Sequence, residues 1–331
     1  MGRWSTSLAI LAWACAGLAQ AGCPNATSLS PCTCDYYGIN CMRAERAAQL
    51  RRAFNSVNAQ SSDHRSLWIQ NTPIKSFRPG VLGFFRFENV HIEKNANLTN
   101  FTLGSLLLMN KVVTVLSLYG NALETFEYDR LRSFTSLESL DLGGNKLRKV
   151  PPNAFKSIRL QRLSLRGNPI TEIGAAAFFG LTNLTELLLS QTRLMKLGGH
   201  SLSFIRANPH LKIDLSRSAI KTIESTAFDA AMPLEVDLSH NKLTELPRKP
   251  FEGLIIRMIS NARGRELTPV IKVEGNPLTC MGCSYVWIIE SRKRKRVRII
   301  EGFKCPDGLN ATSLTRQRIK CKPPGSIATI G

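Results

Sequence analysis

The sequence is short of acidic residues, which number 24 against 44 lysines and arginines and give a formal charge of +20 at pH 7. Such a balance favours anionic partners, namely sulfated glycans, acidic membrane surfaces or nucleic acid. Long apolar runs are also scarce, because beyond the first 21 residues none reaches the roughly 18 apolar residues that a membrane-spanning helix needs. With 43% hydrophobic and 21% charged residues, the composition predicts a folded chain rather than a disordered or collagenous one.

The apolar segment at the start of the chain predicts the compartment. Arg3 supplies a positive charge, positions 7–18 are largely apolar, and positions 19–21 place small residues where a signal peptidase cuts. Residues 1–21 are therefore predicted to be a signal peptide, and the mature chain is predicted to be secreted. A secreted chain has no access to nuclear nucleic acid, so we expect no nucleic-acid partner and no membrane span.

Cysteine is absent from the middle of the chain, between positions 41 and 280. Removal of the signal peptide takes away Cys15 and leaves eight cysteines, an even number that suits an oxidising compartment. They form one group of four near each end: Cys23, Cys32, Cys34 and Cys41, then Cys280, Cys283, Cys305 and Cys321. The long middle of the chain must therefore be held together by other means.

The middle is a repeat of about 24 residues with the pattern Leu-x-x-Leu-x-Leu-x-x-Asn-x-Leu. It is clear at Leu137, Leu140, Leu142, Asn145 and Leu147. A small polar residue occupies the asparagine position in every copy: Thr72, Asn95, Asn121, Asn145, Asn168, Thr192, Ser218, Asn241 and Asn276. The regular spacing predicts that each copy is one structural unit.

The Leu-x-Leu core alternates with a period of two, which predicts a short strand with one inward face. Because the same register recurs after about 24 residues, the strands are predicted to stack in parallel, coil upon coil; several amphipathic helices would need a 3.6-residue period instead. The small polar side chains are predicted to be buried and to bond unpaired turn backbone groups, in a row along the stack. Phenylalanines of the return segments are predicted to fill the convex half of the core: Phe134, Phe155, Phe179, Phe228 and Phe251.

This repeat, with a cysteine group at each end, resembles the extracellular leucine-rich repeat family over residues 23–321. The resemblance implies an α/β solenoid, a horseshoe of about nine coils with a parallel β-sheet on its concave face and disulfide-stapled caps at both ends. It also implies first-to-third and second-to-fourth pairing in each cap: Cys23–Cys34, Cys32–Cys41, Cys280–Cys305 and Cys283–Cys321. One departure is that two residues, rather than the family's usual one, separate Cys280 from Cys283.

The opening Cys23-Pro24-Asn25-Ala26-Thr27 and the segments 49–54 and 69–73 are similar to secreted arthropod repeat proteins that accompany a separate catalytic chain. That resemblance implies a binding or scaffold protein, in one form the non-catalytic subunit of an extracellular complex. The predicted divisions are the signal peptide (1–21), the N-terminal cap with a short helix (22–64), the repeats (65–279) and the C-terminal cap and tail (280–331).

The sequence contains no recognisable motif for catalysis, cofactor binding or metal binding. Cys280 and Cys283 have the spacing of a redox or metal half-site, but structural disulfides are expected in a secreted chain. Asp141, Asp214 and Asp237 occupy one column of the predicted concave face, where three-carboxylate catalysis stays an alternative to surface or partner-binding charge. We therefore predict a protein that is not an enzyme and needs no cofactor or metal.

The concave face is the predicted surface for an extracellular protein partner, because its side chains project in ordered rows from a rigid sheet. An exposed Trp, Tyr and Leu among charges resemble interface anchors, although scattered surface residues without a partner remain the alternative. By position, this face carries Trp68, His91, Tyr119, Asp141, Arg162, Arg166, Leu188, Asp214, Arg217, Asp237 and His240.

Positive charge is concentrated near the C-terminus, where residues 280–331 hold 11 basic and 3 acidic residues. Six of the basic residues form one run: Arg292, Lys293, Arg294, Lys295, Arg296 and Arg298. Repulsion between these cations predicts a solvated segment, which is a plain soluble surface, a dibasic processing site, or a binding site for heparan-type glycans. The last hypothesis corresponds to an extracellular-matrix or immune-recognition protein that binds sulfated glycans or microbial surfaces.

Asn-x-Ser/Thr sequences predict where a secreted chain is glycosylated. They occur at Asn25, Asn97, Asn100, Asn183 and Asn310. We predict sugars on several of these five, with Asn97 and Asn100 close enough to compete for the modifying enzyme.

Overall fold

The computed structural model describes residues 22–56, 63–156, 159–292 and 296–321, so the predicted signal peptide lies outside the described residues. The α-helices are Ala26–Leu29 (α1), Ala47–Phe54 (α2), Arg248–Ala262 (α3) and Val286–Arg292 (α4). Short 3-10 helices span Leu103–Met109, Tyr128–Ser133, Cys283–Tyr285, Arg296–Ile299 and Ala311–Ser313. The strands are Thr33–Asp35 (β1), Gly38–Asn40 (β2), Asp63–Gln70 (β3), Ser76–Phe77 (β4), Arg86–Glu93 (β5), Asn100–Phe101 (β6), Val115–Ser117 (β7), Ser139–Asp141 (β8), Lys149–Val150 (β9), Arg162–Ser164 (β10), Glu172–Ile173 (β11), Glu186–Leu188 (β12), Lys196–Leu197 (β13), Lys212–Asp214 (β14), Thr222–Ile223 (β15), Glu235–Asp237 (β16), Val270–Lys272 (β17) and Ile300–Glu301 (β18).

Within the described residues, twelve strands form one sheet in the order β1-β2-β3-β5-β7-β8-β10-β12-β14-β16-β17-β18. The hairpin β1–β2 is antiparallel, and every later pair is parallel. Register follows the repeat, since Leu140 is opposite Leu163, and Leu163 is opposite Leu187. The predicted stack of parallel strands is confirmed, with nine repeat strands (β3 to β17 of this sheet) between the strands of the two caps.

The core of the stack is built from the inward leucines. Leu140, Leu163 and Leu187 have no solvent exposure, and burial of each such side chain contributes roughly 1.5–3 kcal/mol relative to an exposed one. The inward leucines of each coil pack against those of the coils before and after it. The hydrophobic effect therefore holds together the part of the chain that has no cysteine.

Inside the turns, polar side chains form the predicted row, here named the asparagine ladder: Thr72, Asn95, Asn121, Asn145, Asn168, Thr192, Ser218, Asn241 and Asn276. All of them are buried as predicted except Ser218 and Asn276, which are partly exposed. Asn145 shows the usual pattern, because its Oδ1 accepts from the backbone N–H of Leu123 at 3.1 Å. Its Nδ2 donates to the carbonyl oxygens of Leu118 and Leu142 at 2.9 and 3.0 Å. The side chain therefore ties its own coil to the preceding one and pairs backbone groups that no strand reaches.

The ladder changes character where hydroxyls replace amides. Thr192 and Ser218 are joined by one hydrogen bond of 2.9 Å between their hydroxyl oxygens, and Ser218 Oγ accepts from the backbone N–H of Thr192 at 3.1 Å. A hydroxyl has one hydrogen to donate, whereas an asparagine amide has two. Hydrogen bonding across this interface is therefore sparser than it is around Asn145.

One prediction about the convex half of the core is wrong. Phe179 is 40% exposed, and its neighbour Phe178 is the buried residue. Phe178 stacks between Phe155 and Phe204, with ring centroids 5.5 and 6.3 Å away. Phe178 follows Ala177 as the buried Phe155 follows Ala154 and the buried Phe228 follows Ala227, so in these three coils the Ala-Phe pair was the usable signal.

The residue just before each ladder position has a left-handed backbone. Glycine supplies this conformation in several coils, but Arg217 and His240 adopt it with φ of +52° and +55°. Side chains with a Cβ are strained there by of order 1–3 kcal/mol. These two residues therefore mark turns that the surrounding hydrogen bonds impose on the chain.

The ends of the stack are closed by disulfide-bonded caps. The four pairs are the same as those implied by the family resemblance: Cys23–Cys34, Cys32–Cys41, Cys280–Cys305 and Cys283–Cys321. In the C-terminal cap, Tyr285 Oη and Trp287 Nε1 donate to the carbonyl oxygens of Thr244 and Leu246 at 2.7 and 2.8 Å. These bonds tie the cap to the last coils and cover the apolar end of the stack.

Candidate functional site on the concave face

The concave face consists of the outward residues of the main sheet. Seven of the predicted surface residues lie on its strands: Trp68, His91, Asp141, Arg162, Leu188, Asp214 and Asp237. The other four lie in the turns that follow the strands: Tyr119, Arg166, Arg217 and His240. In-register pairing places Trp68 beside His91 and Leu188 beside Asp214, so the strand residues form continuous rows.

The three aspartates of the central row do not form one cluster. Asp214 and Asp237 are in register on adjacent strands, whereas β10 and β12 separate Asp141 from Asp214. In each case Oδ1 accepts from the backbone N–H two residues further on, at 2.7–2.9 Å. These carboxylates stabilise the turn that follows each strand. The repeat pattern alone did not predict this role.

The C-terminal half of the face carries a row of alternating charges, here named the charge row: Arg162, Glu186, Lys212 and Glu235. Arg162 pairs with Glu186, and Lys212 Nζ lies 3.7 Å from Glu235 Oε2. Lys272, on the next strand, also donates to Glu235, and this hydrogen bond raises the pKa of Lys272. The charges here are largely satisfied within the chain.

The N-terminal end of the face is a concave pocket of about 650 Å³, here named the Trp68 pocket. Its lining comes from the N-terminal cap and the first two coils: Asp35, Tyr37, Asn40, Met42, Arg65, Ser66, Trp68, Gln70, Asn89 and His91. Tyr37 and Met42 are exposed apolar side chains of the cap. The pocket therefore combines aromatic and aliphatic walls with several amide groups.

Trp68 and His91 form a preorganised pair at the base of this pocket. Their rings are nearly parallel, 8° apart in plane angle, with centroids separated by 6.1 Å. Nδ1 of His91 lies 3.2 Å from Glu93 Oε1, and Gln70 Nε2 donates to Glu93 Oε2 at 2.8 Å. The hydrogen bond with His91, and to a smaller extent that with Gln70, lowers the pKa of Glu93. The ionised carboxylate in turn holds the imidazole of His91 in place.

Sequence reasoning identified Trp68 and His91 but missed Tyr37, Asn40 and Met42. These three belong to the N-terminal cap, and they reach the concave face because β2 pairs with β3. The aromatic pair Tyr36-Tyr37 in a tight β-hairpin was the available signal, since exposed aromatics in a capped end are uncommon on a surface without a partner.

Half of the predicted basic run lies outside the described residues. Arg298 is exposed, Arg292 ends α4 and Arg296 begins a 3-10 helix, whereas Lys293, Arg294 and Lys295 lie outside the described residues. Of the acidic residues near it, Glu290 pairs with Arg316 and Asp307 with Arg318. All five predicted glycosylation asparagines are exposed: Asn25, Asn97, Asn100, Asn183 and Asn310.

In the parts of the chain that the structure describes, no group of three or more His, Cys, Asp or Glu side chains is placed to hold a metal ion. Across the same ranges, none of the helices combines the length and apolar character required to cross a bilayer.

Comparison with known proteins matches this architecture. The leucine rich repeat profile fits residues 135–194 and 158–213, which include strands β8, β10 and β12. These coils match the leucine-rich repeat family, and the chain has the fold of a leucine-rich repeat solenoid. The predicted capped solenoid, with its parallel sheet on the concave side of a horseshoe, is confirmed.

Among curated leucine-rich repeat proteins, the chain is 23% identical over 291 residues to the Oplophorus-luciferin 2-monooxygenase non-catalytic subunit of Oplophorus gracilirostris. That alignment covers 81% of this chain and 79% of the relative. The chain is also 36% identical over 119 residues to Tsukushi of Rattus norvegicus, covering 35% of this chain and 32% of that relative. The predicted resemblance to a non-catalytic subunit is thus confirmed at the level of sequence similarity.

A solved structure supports the fold. A chain in the octameric complex of Latrophilin 3 (Lec, Olf), Unc5D (Ig, Ig2, TSP1) and FLRT2 (LRR) superposes with a TM-score of 0.53 at 21% identity. The match covers 84% of this leucine-rich repeat chain and 88% of that one. At this identity the likeness shows a shared fold.

Proposed function

We propose that this chain is a secreted leucine-rich repeat protein, without enzymatic activity, that binds an extracellular protein partner through its concave face. The observation that carries the proposal is the exposure of Tyr119 and the partial exposure of Trp68 and Leu188 on or beside strands of one rigid sheet. Large side chains that need not reorganise lose little conformational entropy on binding, and this is typical of interface anchors.

The relatives support the same function. One similar protein is named as a non-catalytic subunit, and the structural neighbour belongs to a complex of three kinds of protein. Four disulfides and five exposed glycosylation sequences suit an oxidising, extracellular setting. The three central aspartates are committed to turn hydrogen bonds, which favours a binding surface over a carboxylate-based active site.

A glycan placed on the concave face tests the proposal. Arg162→Asn creates the glycosylation sequence Asn-Leu-Ser with Leu163 and Ser164 on β10. Ser133→Asn creates Asn-Phe-Thr on the convex side, where Ser133 ends a 3-10 helix, and serves as the matched control. Both secreted variants are checked for the added sugar by mass and for folding by circular dichroism.

Tagged protein is incubated with extracellular fluid from the native source, cross-linked, and sized by light scattering. A stoichiometric protein complex is expected with the unchanged chain and with Ser133→Asn, and its loss is expected with glycosylated Arg162→Asn. Equal complex formation by both variants, or no stoichiometric protein partner at all, would overturn the proposal.

A second candidate function, binding of sulfated glycans, is favoured by charge in the C-terminal cap. Glu290 and Asp307 are already paired with Arg316 and Arg318, which leaves the basic run in excess over nearby acids. Clustered cations attract a sulfated chain over about a Debye length of 8–10 Å. We expect retention on heparin that weakens steeply with salt and is lost when Arg292, Lys293, Arg294, Lys295, Arg296 and Arg298 are all changed to Gln. Elution at physiological salt, or an unaltered profile in the variant, would rule this function out.

A further inference from the structure

In the described part of the chain, the one ring that stacks on Trp68 is that of His91, so the other indole face has no ring against it. Trp68 lies between Asn40 on β2 and His91 on β5 in the register of the sheet. His91 stacks on the side towards β5, at 6.1 Å between centroids. On the side towards β2, Tyr37 and Met42 flank that strand in sequence and also line the pocket. A ligand in this space contacts an indole face on one side and apolar side chains on the other.

The hydrogen-bonding groups around that face are amides with capacity left. Asn40 uses Oδ1 to accept from Met42 N–H at 3.0 Å, and its Nδ2 donates in none of the described contacts. Gln70 Nε2 donates to Glu93, and Asn89 Nδ2 donates to Ser66 Oγ and to the carbonyl oxygen of Arg65. The side-chain oxygens of Gln70 and Asn89 keep the capacity to accept hydrogen bonds. The lining thus offers donors and acceptors of neutral charge side by side.

The charged groups of the pocket disfavour an ionic ligand. Asp35 Oδ1 accepts the backbone N–H groups of Tyr37 and Gly38 at 2.8 and 3.1 Å, so this carboxylate is committed to the hairpin turn. Arg65, which is exposed in the lining, repels a cationic ligand. A single arginine also provides little attraction for a polyanion, in contrast with the basic run of the C-terminal cap.

We infer that the Trp68 pocket binds an uncharged saccharide, with one pyranose ring packed against the free face of Trp68. A pyranose has an apolar face of C–H groups and a rim of hydroxyls, each of which both donates and accepts hydrogen bonds. It therefore satisfies the indole face and the amide rim together. An apolar side chain of a partner protein would cover the same amides without bonding them, and each unpaired polar group costs about 1–3 kcal/mol.

The inference shares Trp68 with the surface proposed for a protein partner, but it concerns free oligosaccharides, and Arg162, where that proposal is tested, lies outside the pocket lining. The test is a tryptophan fluorescence titration of the secreted protein with chitotriose, cellotriose, laminaritriose, mannotriose and maltotriose. Trp287 is 3% exposed and bonded to Leu246 O, and Trp4 and Trp13 lie in the predicted signal peptide. A saturable change therefore reports on Trp68.

We expect at least one of the five trisaccharides to give a saturable change that isothermal titration calorimetry reproduces. Trp68→Ala is expected to weaken the dissociation constant about tenfold or more, the scale of an anchor residue, and Trp68→Phe to retain part of the affinity. Tyr119→Ala removes an exposed aromatic outside the pocket lining and is expected to leave the affinity unchanged. Melting temperatures of the three variants show whether each is folded.

The inference is overturned if none of the five sugars binds, or if folded Trp68→Ala and Trp68→Phe bind as well as the unchanged chain. It is equally overturned if Trp68→Ala abolishes capture of a protein partner while no sugar binds, since the pocket would then receive a partner side chain.

Discussion

The two halves of the concave face differ in whether their polar side chains are already paired within the chain. Near the C-terminal end, Arg162, Glu186, Lys212 and Glu235 neutralise one another across adjacent strands. Near the N-terminal end, the Trp68 pocket presents aromatic rings and neutral amides. A partner of the first region has to replace existing ion pairs, whereas a ligand of the second adds contacts to groups with capacity left. Side chains that project from the same sheet are therefore not equally available for binding.

The largest expected difference between the two ends of the molecule follows from the loss of one cap disulfide. Removing Cys23–Cys34 through the double change Cys23→Ser and Cys34→Ser is expected to reduce the free energy of unfolding by about 2–4 kcal/mol. It also frees the hairpin that carries Tyr37, so secretion falls and ligand binding at the Trp68 pocket is lost.

The matched control removes Cys280–Cys305 at the other end by changing both cysteines to Ser. We expect a similar fall in stability and secretion, but the fraction that is secreted keeps the Trp68 pocket. Normal secretion and an unchanged melting temperature for both double variants would contradict a structural role for the caps.

The asparagine ladder provides the next largest effect. Asn145→Ala leaves the N–H of Leu123 without its buried partner, whereas the carbonyl oxygens of Leu118 and Leu142 keep the amides of Asn121 and Asn168. At about 1–3 kcal/mol for a buried group left unsatisfied, a loss of about 2 kcal/mol is expected in urea denaturation. Thr192→Ala, at the hydroxyl part of the ladder, is expected to cost about 1 kcal/mol. Equal losses for the two variants would show that the ladder is uniform.

Neutralising the centre of the charge row gives a smaller effect. Glu235→Gln removes the acidic partner of Lys212 and Lys272, and a loss of about 0.5–1 kcal/mol is expected at low salt. The loss should shrink near 1 M salt, where the Debye length is about 3 Å. Glu172→Gln breaks the exposed pair with Lys149 on the small sheet β9–β11 and should change the melting temperature little.

The smallest expected effect is a pH dependence at the N-terminal end. His64 stacks on Phe85 and Phe87, and burial lowers the pKa of its imidazole below 6.5, against a smaller opposing effect of Asp63. The unfolded chain therefore binds this proton more readily than the folded chain does. Stability from neutral His64 is fully present above pH 6.5 and falls as the pH drops through the lowered pKa.

Melting temperatures measured between neutral pH and about pH 5 check this sign, because the unperturbed histidine pKa lies near 6.5. His64→Phe keeps a ring against Phe85 and Phe87 and should remove part of the decline. An identical decline in the variant would assign the pH dependence to other groups.

The repeat itself could be predicted because its physics is local and periodic. Leu140 and Asn145 recur at fixed spacing in coil after coil, so burial of the one and turn bonding of the other follow from the pattern. Phe179 was misassigned because two adjacent phenylalanines compete for one core position, and a shift of one residue changes which of them points inward. Tyr37 could not be assigned to the concave face, since its position depends on how the capping hairpin docks beside β3.

Between Cys41 and Cys280 the coils are linked by the backbone and by contacts with their immediate neighbours. In such a one-dimensional stack, cooperativity passes only through successive interfaces, and the interface of Thr192 with Ser218 has hydroxyls where others have amides. We expect the stack to open first at that interface, into two blocks that are each closed by their own cap. One block can therefore exchange its amide hydrogens or be cut by a protease while the other stays folded, so the Trp68 pocket can outlast damage to the charged half of the molecule.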